Sequence, residues 1–68
     1  MSLYDYRKSE ELAEADYPFY ALIMAAMRKA DSINRRILES GFPEIWAELY
    51  DRYHSPGGFL KGKDSPNG

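Results

Sequence analysis

Residues 17–27 read Tyr17-Pro18-Phe19-Tyr20-Ala21-Leu22-Ile23-Met24-Ala25-Ala26-Met27, which is typical of a helix that is apolar on nearly every side. A helix of this kind is stable in water only when it is buried all round. The whole chain has 68 residues, close to the lower limit at which one core gives useful stability. The surplus of apolar surface therefore predicts contact with a second copy of the chain or with another partner.

Start signals around this stretch predict one long helix over residues 17–40. Asp16 and Pro18 are typical of a helix start, because the carboxylate accepts hydrogen bonds from first-turn amides and proline needs no amide hydrogen there. The pair Asp31 and Ser32 can also begin a helix. The apolar spacing keeps the same phase on both sides of that pair, so we expect the long helix to continue through it.

The signals that follow predict a second, shorter helix and therefore an all-α helical hairpin. Gly41 is expected to end the long helix in the left-handed conformation. Pro43 suits the first turn of a new helix, which we expect over residues 43–54. The bulky apolar and aromatic side chains of this second helix are expected to face one way and the charged ones to face solvent. The first group is Phe42, Trp46, Leu49, Tyr50 and Tyr53, and the second is Glu44, Glu48, Asp51 and Arg52.

The remaining residues are predicted to complete one small domain over residues 1–60. Ser9 is typical of the start of a short helix, and we expect this N-terminal segment to pack beside the hairpin. Residues 61–68 contain no apolar side chain, so we expect them to form a flexible tail.

Helical spacing divides the apolar residues of the predicted long helix into two rows. The first row is Phe19, Leu22, Ile23, Ala26, Ala30, Ile33 and Ile37, and the second row is Tyr20, Met24, Met27 and Leu38. The helix of residues 43–54 is wide enough to cover only one of them. We expect the second row to need another cover.

Three covers for the second row stay open. The N-terminal segment can lie across it through Leu3, Tyr4, Tyr6 and Leu12, a symmetry mate can meet it, or a foreign protein or ligand can bind there. We favour the symmetry mate, because Met and Tyr are frequent at contact surfaces. The predicted interface is Tyr20, Met24, Met27, Asp31, Arg35 and Leu38, with Asp31 meeting Arg35 of another copy.

Charge is distributed unevenly along the chain, although the net charge is only −2. The first sixteen residues carry five acidic and two basic side chains, whereas residues 17–41 carry four basic and two acidic ones. The basic group is Arg28, Lys29, Arg35 and Arg36, with Tyr20 nearby. It is a candidate site for a small anionic ligand such as a nucleotide, and otherwise a solvated face. A net acidic chain argues against general nucleic-acid binding.

Composition excludes several other classes of function. The chain has no cysteine and one histidine, His54, which we expect to lie at a helix end rather than in a catalytic or metal site. The carboxylate pairs Glu10/Glu11 and Glu44/Glu48 are expected on solvated faces. The apolar stretch is about half the length of a membrane span, and no signal peptide is visible. We expect a non-enzymatic cytoplasmic protein without metal or cofactor.

Three runs of sequence carry a resemblance to a known group of proteins. They are Asp16-Tyr17-Pro18-Phe19-Tyr20-Ala21-Leu22-Ile23-Met24-Ala25-Ala26-Met27-Arg28, Phe42-Pro43-Glu44-Ile45-Trp46 and Arg52-Tyr53-His54-Ser55-Pro56-Gly57-Gly58. Within residues 16–58 the chain resembles small proteins encoded by phages and prophages, a family with no established activity. The resemblance implies an accessory protein made inside an infected cell, and many such proteins block a host factor or sequester a signalling nucleotide.

The pattern and the resemblance together predict a binding protein that acts as a homo-oligomer and blocks a host protein, such as a defence component. Two alternatives stay open: an oligomeric sponge for a small anionic signalling nucleotide, and a structural or scaffold component of a virion.

Overall fold

The computed structural model describes residues 1–64, and these form four α-helices and one short 3₁₀ turn without any strand. In chain order they are α1 (Leu3–Glu14), α2 (Phe19–Lys29), α3 (Ser32–Gly41), α4 (Pro43–Tyr53) and the 3₁₀ turn Pro56–Gly58. The predicted all-α class is confirmed.

The predicted long helix is wrong, because it is broken into α2 and α3. Ala30 and Asp31 have extended backbone, with ψ of 141° and 176°. The Asp31 carboxylate accepts a hydrogen bond from the amide of Asn34 at 2.8 Å, so Asp31 is the N-cap of α3. The spacing of apolar residues in the sequence is the same before and after the break. That spacing does not require an unbroken helix, so it could not reveal the break.

Two other predicted helix ends are corrected. Gly41 is the last residue of α3 and does not have a positive φ; Phe42 takes the capping position, with its amide donating to the Leu38 carbonyl at 2.8 Å. Asp16 does not cap α2, which begins after Pro18 without a side-chain cap. Pro43 lies in the first turn of α4 as predicted.

Helix α1 begins at Ser2 rather than Ser9, and it stands apart from the other helices. Ser2 and Asp5 form a reciprocal capping box, in which each side chain accepts a hydrogen bond from the other residue's amide, whereas Ser9 lies inside the helix. The expected packing beside the hairpin is not found, because α1 contacts none of the other described elements. Extended backbone at Ala15 and Pro18 carries the chain away from α1.

The core lies where α4 packs against α2 and α3. Met27 of α2 and Leu49 of α4, 2% and 7% exposed, are the buried hydrophobic side chains in residues 1–64. Coverage does not follow the two predicted rows: Met27 of the second row is buried and Tyr20 is exposed, while Leu22, Ile23 and Ala30 of the first row are partly covered.

Part of the first row is left in solvent. We define the exposed row as Phe19, Ala26, Ile33 and Ile37. Ile33 and Ile37 are 71% and 64% exposed. The single residue Phe42, with φ of −134° and ψ of 62°, connects α3 to α4 and helps to set the direction in which α4 leaves α3.

The two aspartates provide a direct test of where the helices begin. Replacing Asp31 by Ala is expected to lower the free energy of unfolding by about 1 kcal/mol, because the α3 amide loses its acceptor. Asp16→Ala is the matched control and is expected to change it by less than about 0.5 kcal/mol. Thermal unfolding followed by circular dichroism, at equal protein concentrations, measures both. Equal losses would contradict the assignment of the break.

Candidate functional site

A groove runs along α4 beside the junction of α2 and α3, and we call it the α4 groove. Its volume is about 660 Å³. The lining residues are Met27, Arg28, Ala30, Arg35, Trp46, Leu49, Tyr50, Tyr53 and His54. The groove therefore combines the buried core side chains with aromatic rings and two guanidinium groups.

The aromatic rings lie on one side of the groove because of their helical spacing. Trp46, Tyr50 and His54 are four residues apart, so they project from one side of α4. Ring centroids are 6.4 Å apart for Trp46 and Tyr50, and 4.4 Å apart for Tyr50 and His54. Tyr53 adds an edge-on contact to His54 at 5.3 Å. Together the rings form a continuous aromatic wall.

The two arginines reach the groove from the opposite side. Arg28 lies in the last turn of α2, and no ion pair within residues 1–64 involves it. Arg35 of α3 is held in place, because its guanidinium carbon lies 5.7 Å from the centre of the Trp46 ring and its Nε lies 3.5 Å from Glu39. A cation over an indole face joins α3 to α4 at this point.

The structure divides the predicted anionic-ligand residues into two pairs. Arg28 and Arg35 line the α4 groove, whereas Lys29 and Arg36 do not. Lys29 and Arg36 each follow a groove arginine by one residue. Because successive residues on a helix are rotated by about 100°, their side chains point away from the groove. Tyr20, expected beside these cations, lines a different depression with Met24, Phe42 and Ile45.

The predicted interface residues do not lie on one surface. Met27 is buried by its own chain, while Met24 and Leu38 are partly covered and Tyr20 is exposed. Asp31 is engaged in the α3 cap and Arg35 in the α4 groove. Met27 cannot contact another chain without disruption of the core, and the prediction of an interface itself stays a prediction.

A cluster of charges that we call the C-terminal clamp fixes the chain after α4, and the sequence reading missed it. Arg52 donates two hydrogen bonds to Asp64, at 2.6 and 2.9 Å, and a third to the Gly58 carbonyl at 2.9 Å. Glu48 accepts from Arg52 at 3.2 Å and also pairs with Lys63. Glu48 and Arg52 were expected in full solvent, but both are partly buried.

Of the contacts in this clamp, the sequence pattern predicts only the pair of Glu48 and Arg52. Glu48 and Arg52 are four residues apart, the spacing of ion pairs on a helix. Asp64 is twelve residues beyond Arg52, and it arrives only because Gly57 and Gly58, with φ of 63° and 71°, turn the chain back. Residues 61–64 of the predicted tail thus form a turn against α4, and residues 65–68 lie outside the described residues.

The clamp shifts the pKa values of its carboxyl groups. Hydrogen bonds from Arg52 and from the Leu60 amide lower the pKa of Asp64 from 3.8 to about 2. Lys63 and then Arg52 lower the pKa of Glu48. The pKa of Arg52 is raised in turn by Asp64 and then Glu48, so the guanidinium stays charged.

The clamp predicts a pH dependence of stability at acidic pH. Because the folded pKa of Asp64 is depressed, its contribution is complete above pH 3.8 and is lost as the pH falls through about 2. Asp64→Asn is expected to lower Tm at neutral pH, and the difference from the unmodified chain is expected to shrink over that acidic window. Thermal scans of both proteins across the window measure it. A Tm difference that does not vary with pH would contradict the clamp.

Within residues 1–64 no three His, Asp or Glu side chains lie close enough together to hold a metal ion. No helix in that part of the chain is long and apolar enough to cross a membrane.

Comparison with family models, with curated proteins and with solved structures gives no match for this chain. What the protein can bind is therefore to be inferred from its own side chains.

Proposed function

We propose that this chain is a non-enzymatic binding protein that works as a homo-oligomer and blocks a host protein, such as a defence component. One observation carries the oligomer: within residues 1–64 two hydrophobic side chains are buried and thirteen large ones are exposed. Single exposed apolar side chains are normal on proteins, but so many of them beside so small a core support the proposal that part of this surface is covered by another chain.

The total surface supports the same conclusion. The chain exposes 5945 Å², whereas a compact protein of 7.9 kDa exposes roughly 4,400 Å². The excess of about 1,500 Å² exceeds the roughly 800 Å² that one partner buries in a standard interface. The radius of gyration of 14.3 Å points the same way, because a compact chain of this length has about 11 Å.

The host partner is supported by the resemblance of residues 16–58 to small phage-encoded proteins. Proteins of that kind commonly act by occupying a surface of a host factor rather than by catalysis. A scaffold role in a virion is the alternative without a host partner.

The assembly is tested with a charge placed in the exposed row. Light scattering at micromolar concentration is expected to give more than one chain per particle for the unmodified protein. Ile33→Glu is expected to give the single-chain mass of 7.9 kDa, because an unpaired carboxylate at an apolar contact is costly. Ala47→Glu on the outer side of α4 is the matched control and should assemble normally.

A single-chain mass for the unmodified protein would overturn the oligomer. The host partner is tested separately by affinity capture from host lysate with mass spectrometry. A specific host protein, displaced by excess untagged chain, is expected. Ordered assembly with no captured protein would instead favour the virion scaffold.

The α4 groove favours a second candidate function, the binding of a small anionic nucleotide. Guanidinium groups suit phosphate, and aromatic rings suit a stacked base. Arg28, Arg35, Trp46 and Tyr50 line the same groove, so cations and aromatic rings lie close together there.

The groove is tested by thermal stabilisation with cyclic dinucleotides. A ligand at about 100 times its Kd stabilises by about 2.7 kcal/mol, seen as a rise in Tm. Arg28→Ala and Arg35→Ala are each expected to abolish that rise. Lys29→Ala and Arg36→Ala are matched controls one residue away and should keep it. If all four variants respond alike, the groove is not the site.

A further inference from the structure

Helix α1 is ordered although it contacts no other element of its own chain. It has 12 residues, and isolated helices below about 12–15 residues are marginal in water. The capping box at Ser2 stabilises its first turn, but the remaining turns have no local support of that kind. A surface on which the helix can pack would therefore stabilise it.

One side of α1 has the character of a contact face. Leu3, Tyr6 and Ala13 fall within about 100° of arc, and Glu10 and Glu14 fall within the same arc. Leu3 and Tyr6 are exposed in the chain. We call this side, defined by these five residues, the α1 face.

The acidic side chains on the two sides of α1 differ in whether they form ion pairs. Glu11 pairs with Lys8 at 2.9 Å, and Lys8 also lies over the Tyr4 ring. In the described part of the chain no ion pair involves Glu10 or Glu14. Arg7 borders the α1 face, which still keeps a net negative charge.

The exposed row has the complementary character. Lys29 lies three residues after Ala26, and Arg36 lies between Ile33 and Ile37, so each cation is beside an apolar side chain of the row. Neither cation has an ion pair within residues 1–64. The exposed row, divided between α2 and α3, thus carries two positive charges without an ion pair in residues 1–64, and the α1 face carries two such negative charges with Arg7 at its border.

We propose that the α1 face of one copy docks on the exposed row of a second copy, with Glu10 and Glu14 meeting Lys29 and Arg36. Each copy has both surfaces, and in the arrangement that we propose the exchange is reciprocal, which gives a two-fold dimer rather than an open chain. The inference rests on the assembly part of the proposed function. It assigns the second copy as the occupant because the charges of the two surfaces match and because each copy has surface to spare.

The test uses two charge-reversed proteins. The row variant carries Lys29→Glu and Arg36→Glu, and the helix variant carries Glu10→Lys and Glu14→Lys. Each alone is expected to dimerise at least about tenfold more weakly than the unmodified chain, because like charges then meet. An equimolar mixture is expected to restore the dimer, since each α1 then faces a row of opposite charge. Analytical ultracentrifugation measures all three samples.

The mixture separates exchange between copies from docking within one chain. If α1 docks on its own row, mixing two reversed proteins restores nothing, and that result overturns the proposal. If both variants dimerise normally, these charges do not position α1, and the proposal fails although the assembly stands. A single-chain mass for the unmodified protein would overturn both the docking proposal and the proposed assembly. Arg28→Glu, next to Lys29 but in the α4 groove, is the control and should dimerise normally.

Discussion

The packing of α4 across α2 and α3 is the contact on which the remaining features of this protein depend. It buries Met27 and Leu49 and partly covers their neighbours, and it uses one side of each helix. Burial of a few side chains contributes only a few kcal/mol, which is little against the entropy of ordering a chain of this length. The structure therefore leaves many large apolar side chains exposed within residues 1–64.

Helix α4 also organises the polar features. Its groove side carries the aromatic wall of Trp46, Tyr50 and His54, and Arg35 reaches over that wall from α3. Elsewhere on α4, Arg52 binds Asp64 and holds the returning chain. Isolated surface ion pairs contribute little, but a two-pronged guanidinium contact that is partly buried fixes geometry.

Local signals in the sequence predicted some elements well. Pro43 at the start of α4 is correct because its missing amide costs nothing in a first turn. Asp31 and Asp16 carry the same type of signal, yet only Asp31 is used as a cap, since capping depends on whether the following backbone turns toward the carboxylate. Likewise Ser2 and Ser9 are both capping residues by type, and Asp5 distinguishes them by completing the box at Ser2.

The sequence by itself determined the all-α class and the start of α4 at Pro43, because these depend on composition and on local signals within one helix. Only the tertiary structure decided that Met27 is buried while Ile33 and Ile37 are exposed, that Arg28 and Arg35 share a groove while Lys29 and Arg36 do not, and that Asp64 returns to Arg52. Those outcomes depend on the backbone angles of a few connecting residues, Ala30, Phe42 and Gly57. Small rotations there move whole helices, and no periodic pattern records them.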